Sequence, residues 1–591
     1  MFLKDRKKKG ASSHREKEVR RNMSSIYEKL SQERKDLIEK GLVPKWYITG
    51  GYQLFKEKYE YDTKGRSVRG QFERIAKTAA SHIKHKPEFA CAEQKFFDLL
   101  WNGWLSASTP ILANMGTDKG LPVSCSGSVI HDSIDGFYSN LREVALLTKY
   151  GFGTSSYLGN IRPRGAPIRT GGKASGVVPV FKSHVQAMKD VAQGTTRRGA
   201  WAGYIEIDHG DFDELVDYIQ ANPDDANIGF IVKNSFIDKL NAKDKEATRR
   251  YKKALKFKMI TGKGYFCFID KINAKRPAAY TKNNLYVNSS NLCNEITLFS
   301  DEDHTFTCVL SSMNIAKWQE WKNTDAVYWA TVFLDCVVEE FIQRAKGIPG
   351  LEKAVRFTEK GRALGLGQCG FHTLLQNKMI PFESFEAHML SQEIAQHIYK
   401  ESKRASKDLA KVFGEPEWCQ GTGYRNTHTI AIAPTKSTAL LMGGVSEGIN
   451  PDPAMCYTQL TAGGEIDRIN PVLLRLMKER GVYNTKNIMQ ITDNFGSVQS
   501  VDWLTQEEKQ VFKTAFEINQ MSIIRLASAR SKYIDQWQSL NLFFSAEEDP
   551  ATIGRVHSAA FQDPNILGLY YVYQKAGVAA SKDTAECVAC Q

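Results

Sequence analysis

The stretch Asn291-Leu292-Cys293-Asn294-Glu295 places a thiol between an amide and a carboxylate, each two positions away. In an extended segment that spacing puts all three side chains on one face. Two more cysteines lie in small-residue segments far apart in the chain, Cys125 in PVSCSGS and Cys308 in TCVLSSMN. The chain finishes with Tyr570-Tyr571, a polar stretch, and Cys587-Val588-Ala589-Cys590. A thiol with polar partners, a candidate dithiol, a tyrosine pair and a cysteine-bearing tail describe redox and radical chemistry better than structural sulfur.

The remaining cysteines need no such reading. Cys91, Cys267, Cys336, Cys369, Cys419 and Cys456 are expected to be small buried hydrophobes. Cys336, inside VFLDCVVEEF, is read as part of a helix core face. Eleven cysteines in 591 residues do not make a disulfide scaffold, and Met1-Phe2-Leu3 runs straight into a lysine-rich stretch with no apolar signal core. No apolar run reaches the ~20 residues of a membrane helix. A reducing cytoplasm is the expected setting, where a disulfide would be catalytic. The net charge of +13 suits anionic ligands such as nucleotides but does not by itself imply nucleic-acid binding.

Three units are expected along the chain: a helical N-terminal domain with a basic start over 1–105, a catalytic domain over 106–576, and a mobile tail over 577–591. Helical spacing marks SSIYEKLSQERKDLIEKGL and EQKFFDLLWNGWL, then Ile134–Tyr150 and Phe212–Ile219. Gly203–Ile207, Gly264–Ile269 and Thr427–Ile432 read as strands. This alternation predicts an α/β fold without separating a barrel from an open sheet. The hydroxyl-rich run Ala433-Pro434-Thr435-Lys436-Ser437-Thr438 reads as a strand-to-helix turn whose backbone N–H groups suit a phosphate.

The motifs SASTP, PVSC, GFGTSSYLGNIRPRGAPIR, QGTTRRGA, NLCNE, APTKST, LYY and CVAC occur in the order found in the large, catalytic subunit of class I ribonucleoside-diphosphate reductases. The chain resembles that family from about Leu105 to its C-terminus. The resemblance implies a ten-stranded α/β barrel with NLCNE on a finger loop threading its centre. It implies Cys293 as the radical residue, Glu295 as general base and Asn291 as the hydrogen-bonding partner of the sugar. Cys125 and Cys308 would be the reducing pair, and Cys587 and Cys590 the tail dithiol that recharges it, itself re-reduced by thioredoxin or glutaredoxin. Two tail cysteines could also ligate zinc, but a second CxxC is missing.

By the same resemblance, Tyr570 and Tyr571 pass the radical inward from a small, metal-containing partner subunit, so this chain binds no cofactor of its own. Thr109, Ser124 and Gly153 join Thr435, Lys436, Ser437 and Thr438 at the substrate, a ribonucleoside diphosphate, with no specific role for Lys436. Asp132, Ser133, Ile134, Arg162 and Arg169 match the site for dNTP or ATP effectors. Gln193 and Arg197 belong to the loop relaying effector identity. A homodimer is implied, with neither membrane nor nucleic acid as partner. Residues 1–105 leave too little room for the family's additional ATP-cone domain beside a helical domain, so dATP shut-off by that route is not expected. The alternatives are an adenosylcobalamin-dependent reductase, which lacks need of a tyrosine pair, and a basic nucleic-acid-binding protein.

Overall fold

The computed structural model describes residues 27–60, 67–193, 197–461 and 464–575. The basic start and the Cys587/Cys590 tail lie outside the described residues.

The first part is helical, as expected: 27–39, then Thr49–Lys58, Val68–Ser81 and Ala92–Trp101. Ser67 caps the Val68–Ser81 helix by accepting from Gly70 N. Its Phe72, Ile75, Ala76 and Ala79 recur at helical spacing and are buried. That face packs on the Ala92–Trp101 helix and the long Ala326–Ala345 helix. Cys336 lies on the latter and is buried, as predicted.

The rest of the chain is organised around a ring of staves. Five parallel staves come first: Cys125–Val129, Gly153–Tyr157, Trp201–Glu206, Asn227–Val232 and Tyr265–Phe268. A second set begins with Phe306–Asn314 and Leu364–Cys369, which pair in parallel. Residues 428–432 run beside Leu364–Cys369 through bonds such as Leu366 N to Thr429 O (2.9 Å). Ile432 then pairs in parallel with Gln538, and Leu542–Ser545 with Val572–Lys575. Two antiparallel joints close the ring. Cys125–Gly127 pairs with Phe306–Cys308, and Gly568–Leu569 with Phe266–Cys267. Five staves therefore meet five of opposite direction in a ten-stave barrel. The strand Leu105–Ala107 also pairs with Ser311–Met313, so barrel pairing reaches into the segment assigned to the helical unit.

Two expectations need correction. The 427–432 stretch is extended but is not a regular strand. The Asp535 carboxylate accepts from Thr429 N (2.9 Å) and Ile430 N (2.8 Å), taking donors that a ladder would use. Lys403 Nζ, 2.7 Å from Asp535, balances that buried charge. Cys91 is exposed, because it sits just ahead of the Ala92–Trp101 helix rather than on its packed face. Between the 432 and 537 staves, Met455, Val472, Leu473, Met477, Ile491 and Phe512 form a separate small core. Among the described residues, no helix is long and apolar enough to cross a membrane.

Candidate active site

The NLCNE segment is the hub of the barrel interior. Residues 289–298 are all buried, yet they form no strand. The segment is held, through backbone carbonyls and the Asn294 side chain, by staves from both halves of the ring. Ser155 Oγ donates to Ser290 O (2.8 Å) and Tyr204 OH to Asn291 O (2.6 Å). Asn294 Nδ2 donates to Phe266 O (3.2 Å), and Trp537 N to Glu295 O (2.9 Å). The extended geometry expected from the spacing is absent. Asn294 adopts a left-handed φ of 61°, which asparagine tolerates better than most residues, and the chain turns there. Asn291 Oδ1 stabilises the turn by accepting from Glu295 N (3.0 Å) and Ile296 N (3.1 Å). The shared setting of Asn291, Cys293 and Glu295 arises from this turn instead of from strand alternation.

Glu295 is fully buried, and burial pushes its carboxyl up to about 7 against opposing hydrogen bonds from Asn291, its own backbone and Ser539. Ser539 Oγ lies 3.1 Å from Glu295 Oε2 and 2.7 Å from Cys293 O. Glu295 Oε1 has no hydrogen-bond partner among the described residues. Such an oxygen costs desolvation without return, a pattern that clusters at sites of chemistry. A carboxyl titrating near neutrality beside a buried thiol is equipped for general acid–base work.

The sequence could not show that Cys125 and Cys308 meet. They do. The two are direct partners in the antiparallel joint. Opposed antiparallel residues have Cα atoms roughly 4.5–5.5 Å apart, within the range a disulfide spans. Each sulfur accepts from a side-chain amide: Asn291 Nδ2 to Cys125 Sγ (3.3 Å) and Gln536 Nε2 to Cys308 Sγ (3.6 Å). Burial pushes the Cys308 thiol up, with the Gln536 bond opposing. Gly365 makes room for this pair, since a Cβ there would come 2.4 Å from Leu310 Cδ2 and 3.1 Å from Cys308 Sγ.

The Tyr570 and Tyr571 rings lie 4.3 Å apart, Tyr570 buried and Tyr571 half-buried. Tyr265 packs on both, at 4.7 and 5.3 Å. Leu569 O accepts from Asn294 Nδ2 (3.4 Å), so the tyrosine-bearing stave touches the NLCNE loop. Tyr573 stacks on Phe543 at 5.2 Å and its ring lies 5.9 Å from that of Tyr571.

The comparisons with known proteins agree with the fold. The profile "Ribonucleotide reductase, barrel domain" matches residues 123–248, 233–422 and 416–572, and "Ribonucleotide reductase, all-alpha domain" matches 49–120. The chain belongs to the ribonucleotide reductase large-subunit family. It is 33% identical over 537 residues to a putative ribonucleoside-diphosphate reductase large subunit of Frog virus 3, covering 86% of this chain and 93% of the relative. The large subunit of Invertebrate iridescent virus 3 is 30% identical, covering 84% and 92%. The solved alpha subunit of the Actinobacillus ureae class Id ribonucleotide reductase superposes with a TM-score of 0.83 at 36% identity, covering 91% of this chain and 99% of that one.

Within this reductase fold, the other candidate residues fall into two groups. Ser124 Oγ donates to Ser108 Oγ (2.9 Å), Gly153 N to Ser124 O (2.8 Å), and Tyr59 OH and Thr109 Oγ1 lie 2.9 Å apart. The Lys436–Leu441 helix packs on the Leu105–Ala107 strand that leads into Thr109. Thr435, Lys436, Ser437 and Thr438 are all buried there. Thr435 has φ 57°, rare for a β-branched residue, and its Oγ1 accepts from Gly448 N (2.8 Å). These segments gather where the first five staves begin and the second five end.

The other group is superficial. Arg162 Nε donates to Asp132 Oδ2 (2.6 Å), and Ser133 caps the Ile134–Lys149 helix. Arg169 is exposed, as is Ile134. Gln193 and Arg197 are backbone partners in a two-residue antiparallel pairing, and the residues between them lie outside the described set. Among the described residues no group of three or more His, Cys, Asp or Glu side chains is placed to hold a metal ion.

Sequence reading missed Ser539, Gln536, Tyr204 and Tyr265. None lies in a recognisable local motif, and each reaches the loop, a sulfur or the tyrosines only across the barrel.

Proposed function

We propose that the chain is the catalytic subunit of a class I enzyme that reduces ribonucleoside diphosphates to 2′-deoxyribonucleoside diphosphates by thiyl-radical chemistry. The reading rests chiefly on one observation: Cys125 and Cys308 face each other across the joint beside the loop that carries Cys293 and the buried Glu295. Cys293 as a thiyl radical abstracts a ribose hydrogen, which eases loss of the neighbouring hydroxyl as water. Glu295, titrating near 7, handles the proton of a sugar hydroxyl, and its unpartnered Oε1 suits such a contact. Cys125 and Cys308 supply two electrons and two protons and become a disulfide, while the hydrogen returns from Cys293 to the sugar. The substrate diphosphate sits among Thr109, Ser124, Gly153 and the Thr435–Thr438 turn. The deciding assay is CDP reduction with dithiothreitol, with and without a class I radical-generating small subunit. Turnover only with that subunit supports the reading, and turnover with adenosylcobalamin alone refutes it.

The tail has a separable role in this scheme. Replacing Cys587 and Cys590 by serine is expected to abolish thioredoxin- or glutaredoxin-dependent cycling while leaving one turnover from pre-reduced enzyme. Rapid-quench measurement of dCDP per active site checks this. Loss of the first turnover would give the tail a structural or metal-binding role instead.

Effector control is assigned to Asp132, Ser133, Ile134, Arg162 and Arg169, with the 193–199 loop as relay. The Arg162–Asp132 pair at 2.6 Å supports a common site for the two. Ile134 (71% exposed) and Tyr138 (65% exposed) leave an apolar face beside it, which supports a homodimer. Arg162→Ala is expected to weaken dNTP binding roughly tenfold or more, through loss of a charge-assisted contact. Substrate preference should flatten with basal CDP reduction largely kept. Effector titrations against mixed substrates measure this, and unchanged switching would move the site elsewhere.

A further inference from the structure

The buried lysine Lys258 has no part in the reaction as derived above. It lies near the end of the Lys245–Thr261 helix and is 0% exposed. Its ammonium donates to Gly264 O (3.1 Å) and to Tyr570 O. Both acceptors are placed tellingly. Gly264 immediately precedes Tyr265, whose ring touches both tyrosines of the pair. Gly264 also has φ +80°, and a Cβ there would lie 2.9 Å from Phe230 and Phe257, so the chain is tightly fitted at this turn.

Tyr570 N donates to Leu540 O (2.8 Å) and Leu542 N to Tyr571 O (3.0 Å), so the pair is anchored on that side, while the ladder facing Tyr265 is interrupted. Gly568 and Leu569 pair with Cys267 and Phe266, and Val572 N donates to Gly262 O (3.1 Å). Residues 570 and 571 lie between these two points and belong to neither strand, Gly568–Leu569 or Val572–Lys575. Across that interruption, the Lys258 ammonium joins the backbone ahead of Tyr265 to that of Tyr570.

We propose that Lys258 is a positioning residue for radical transfer, its ammonium fixing Tyr570 relative to Tyr265 and Tyr571. This rests on the radical-transfer reading of the tyrosine pair. An uncompensated buried ammonium is otherwise unfavourable, and burial pulls Lys258 down to about 7. His557, also buried, is pulled down to about 4 chiefly by burial, with the Lys258 charge acting in the same direction, and is hence neutral. Asp213 and Asp217 on the adjacent helix pair with Arg249 and Lys253. Asp238, Lys239, Lys252, Lys256 and Arg555 on the surrounding helices are exposed.

The test uses the full chain carrying 3-aminotyrosine at position 570 as a radical trap, mixed with a class I radical-generating subunit, CDP and effector. Lys258→Met should lower the trapped radical and CDP turnover by roughly tenfold to a hundredfold, the usual cost of misplacing a reacting group. Its Tm should be unchanged or raised, since an apolar replacement of a buried charge is often neutral or stabilising. In the wild-type background the radical yield should fall as pH rises through about 7, where the ammonium loses its charge-assisted bonds. Lys258→Arg, charged throughout, should restore the yield and remove that limb. If the wild-type background traps no radical, the radical-transfer reading fails. If it traps radical and Lys258→Met traps as much, or the pH limb survives in Lys258→Arg, the role of Lys258 is overturned.

Discussion

Cys293→Ser is expected to bring CDP reduction to background while leaving substrate and effector affinities nearly unchanged. The substitution is small, and the loop geometry around position 293 is held by backbone contacts, including Ser539 Oγ to Cys293 O at 2.7 Å and Tyr204 OH to Asn291 O at 2.6 Å. These do not depend on the sulfur. A serine O–H bond is too strong to serve in the same hydrogen abstraction. An added barrier of ~4 kcal/mol already costs a thousandfold, so residual turnover should fall below detection. Equilibrium binding of CDP and of a dNTP, measured beside a sensitive dCDP assay, separates the two effects. Substantial turnover in the variant would remove Cys293 from the centre of the mechanism.

Glu295→Gln is expected to lower kcat by about 10²–10⁴-fold, the usual worth of a positioned acid–base group. The amide keeps the shape and can still meet Ser539, so KM should move little. The pH profile gives the sharper readout. Burial raises the Glu295 carboxyl to about 7, so the base is mostly protonated in mildly acidic solution. Activity should rise with pH along the Glu295 limb and be opposed by the falling Lys258 limb, giving a bell-shaped profile centred near neutrality. In Glu295→Gln this acid limb should vanish, leaving a low rate that keeps only the falling limb assigned to Lys258. A variant that keeps the acid limb would place the titrating group elsewhere, with Asp452, also raised by burial to about 7, the next to examine.

Much of the architecture was legible because its signals are local. Helical spacing over Ile134–Tyr150 and Phe212–Ile219 anticipated the helices Ile134–Lys149 and Phe212–Ala221, and the strand reading of Gly264–Ile269 contains Tyr265–Phe268. The 427–432 stretch misled because its pattern is that of a strand, while the Asp535 carboxylate, more than a hundred residues later, takes its backbone donors. Cys91 misled for the opposite reason. Cysteine is usually buried, but a position just outside a helix has no packed face to join.

The candidate site divides in the same way. By itself the sequence determined which residues are the candidates for the chemistry: the NLCNE thiol with its amide and carboxylate, the two remote cysteines, the tyrosine pair and the hydroxyl-rich turn. Those are choices of reactive group, and a reactive group is a property of the residue. Only the tertiary structure decided how they are arranged. It made NLCNE a turn stabilised by Asn291, set Cys125 opposite Cys308, and brought Ser539, Gln536, Tyr265 and Lys258 to bear on the loop, a sulfur and the tyrosines. It also raised the Glu295 carboxyl toward neutrality, since that shift comes from desolvation inside a closed ring of staves. Register across an antiparallel joint and burial within a barrel depend on segments hundreds of residues apart, and local sequence carries no record of either.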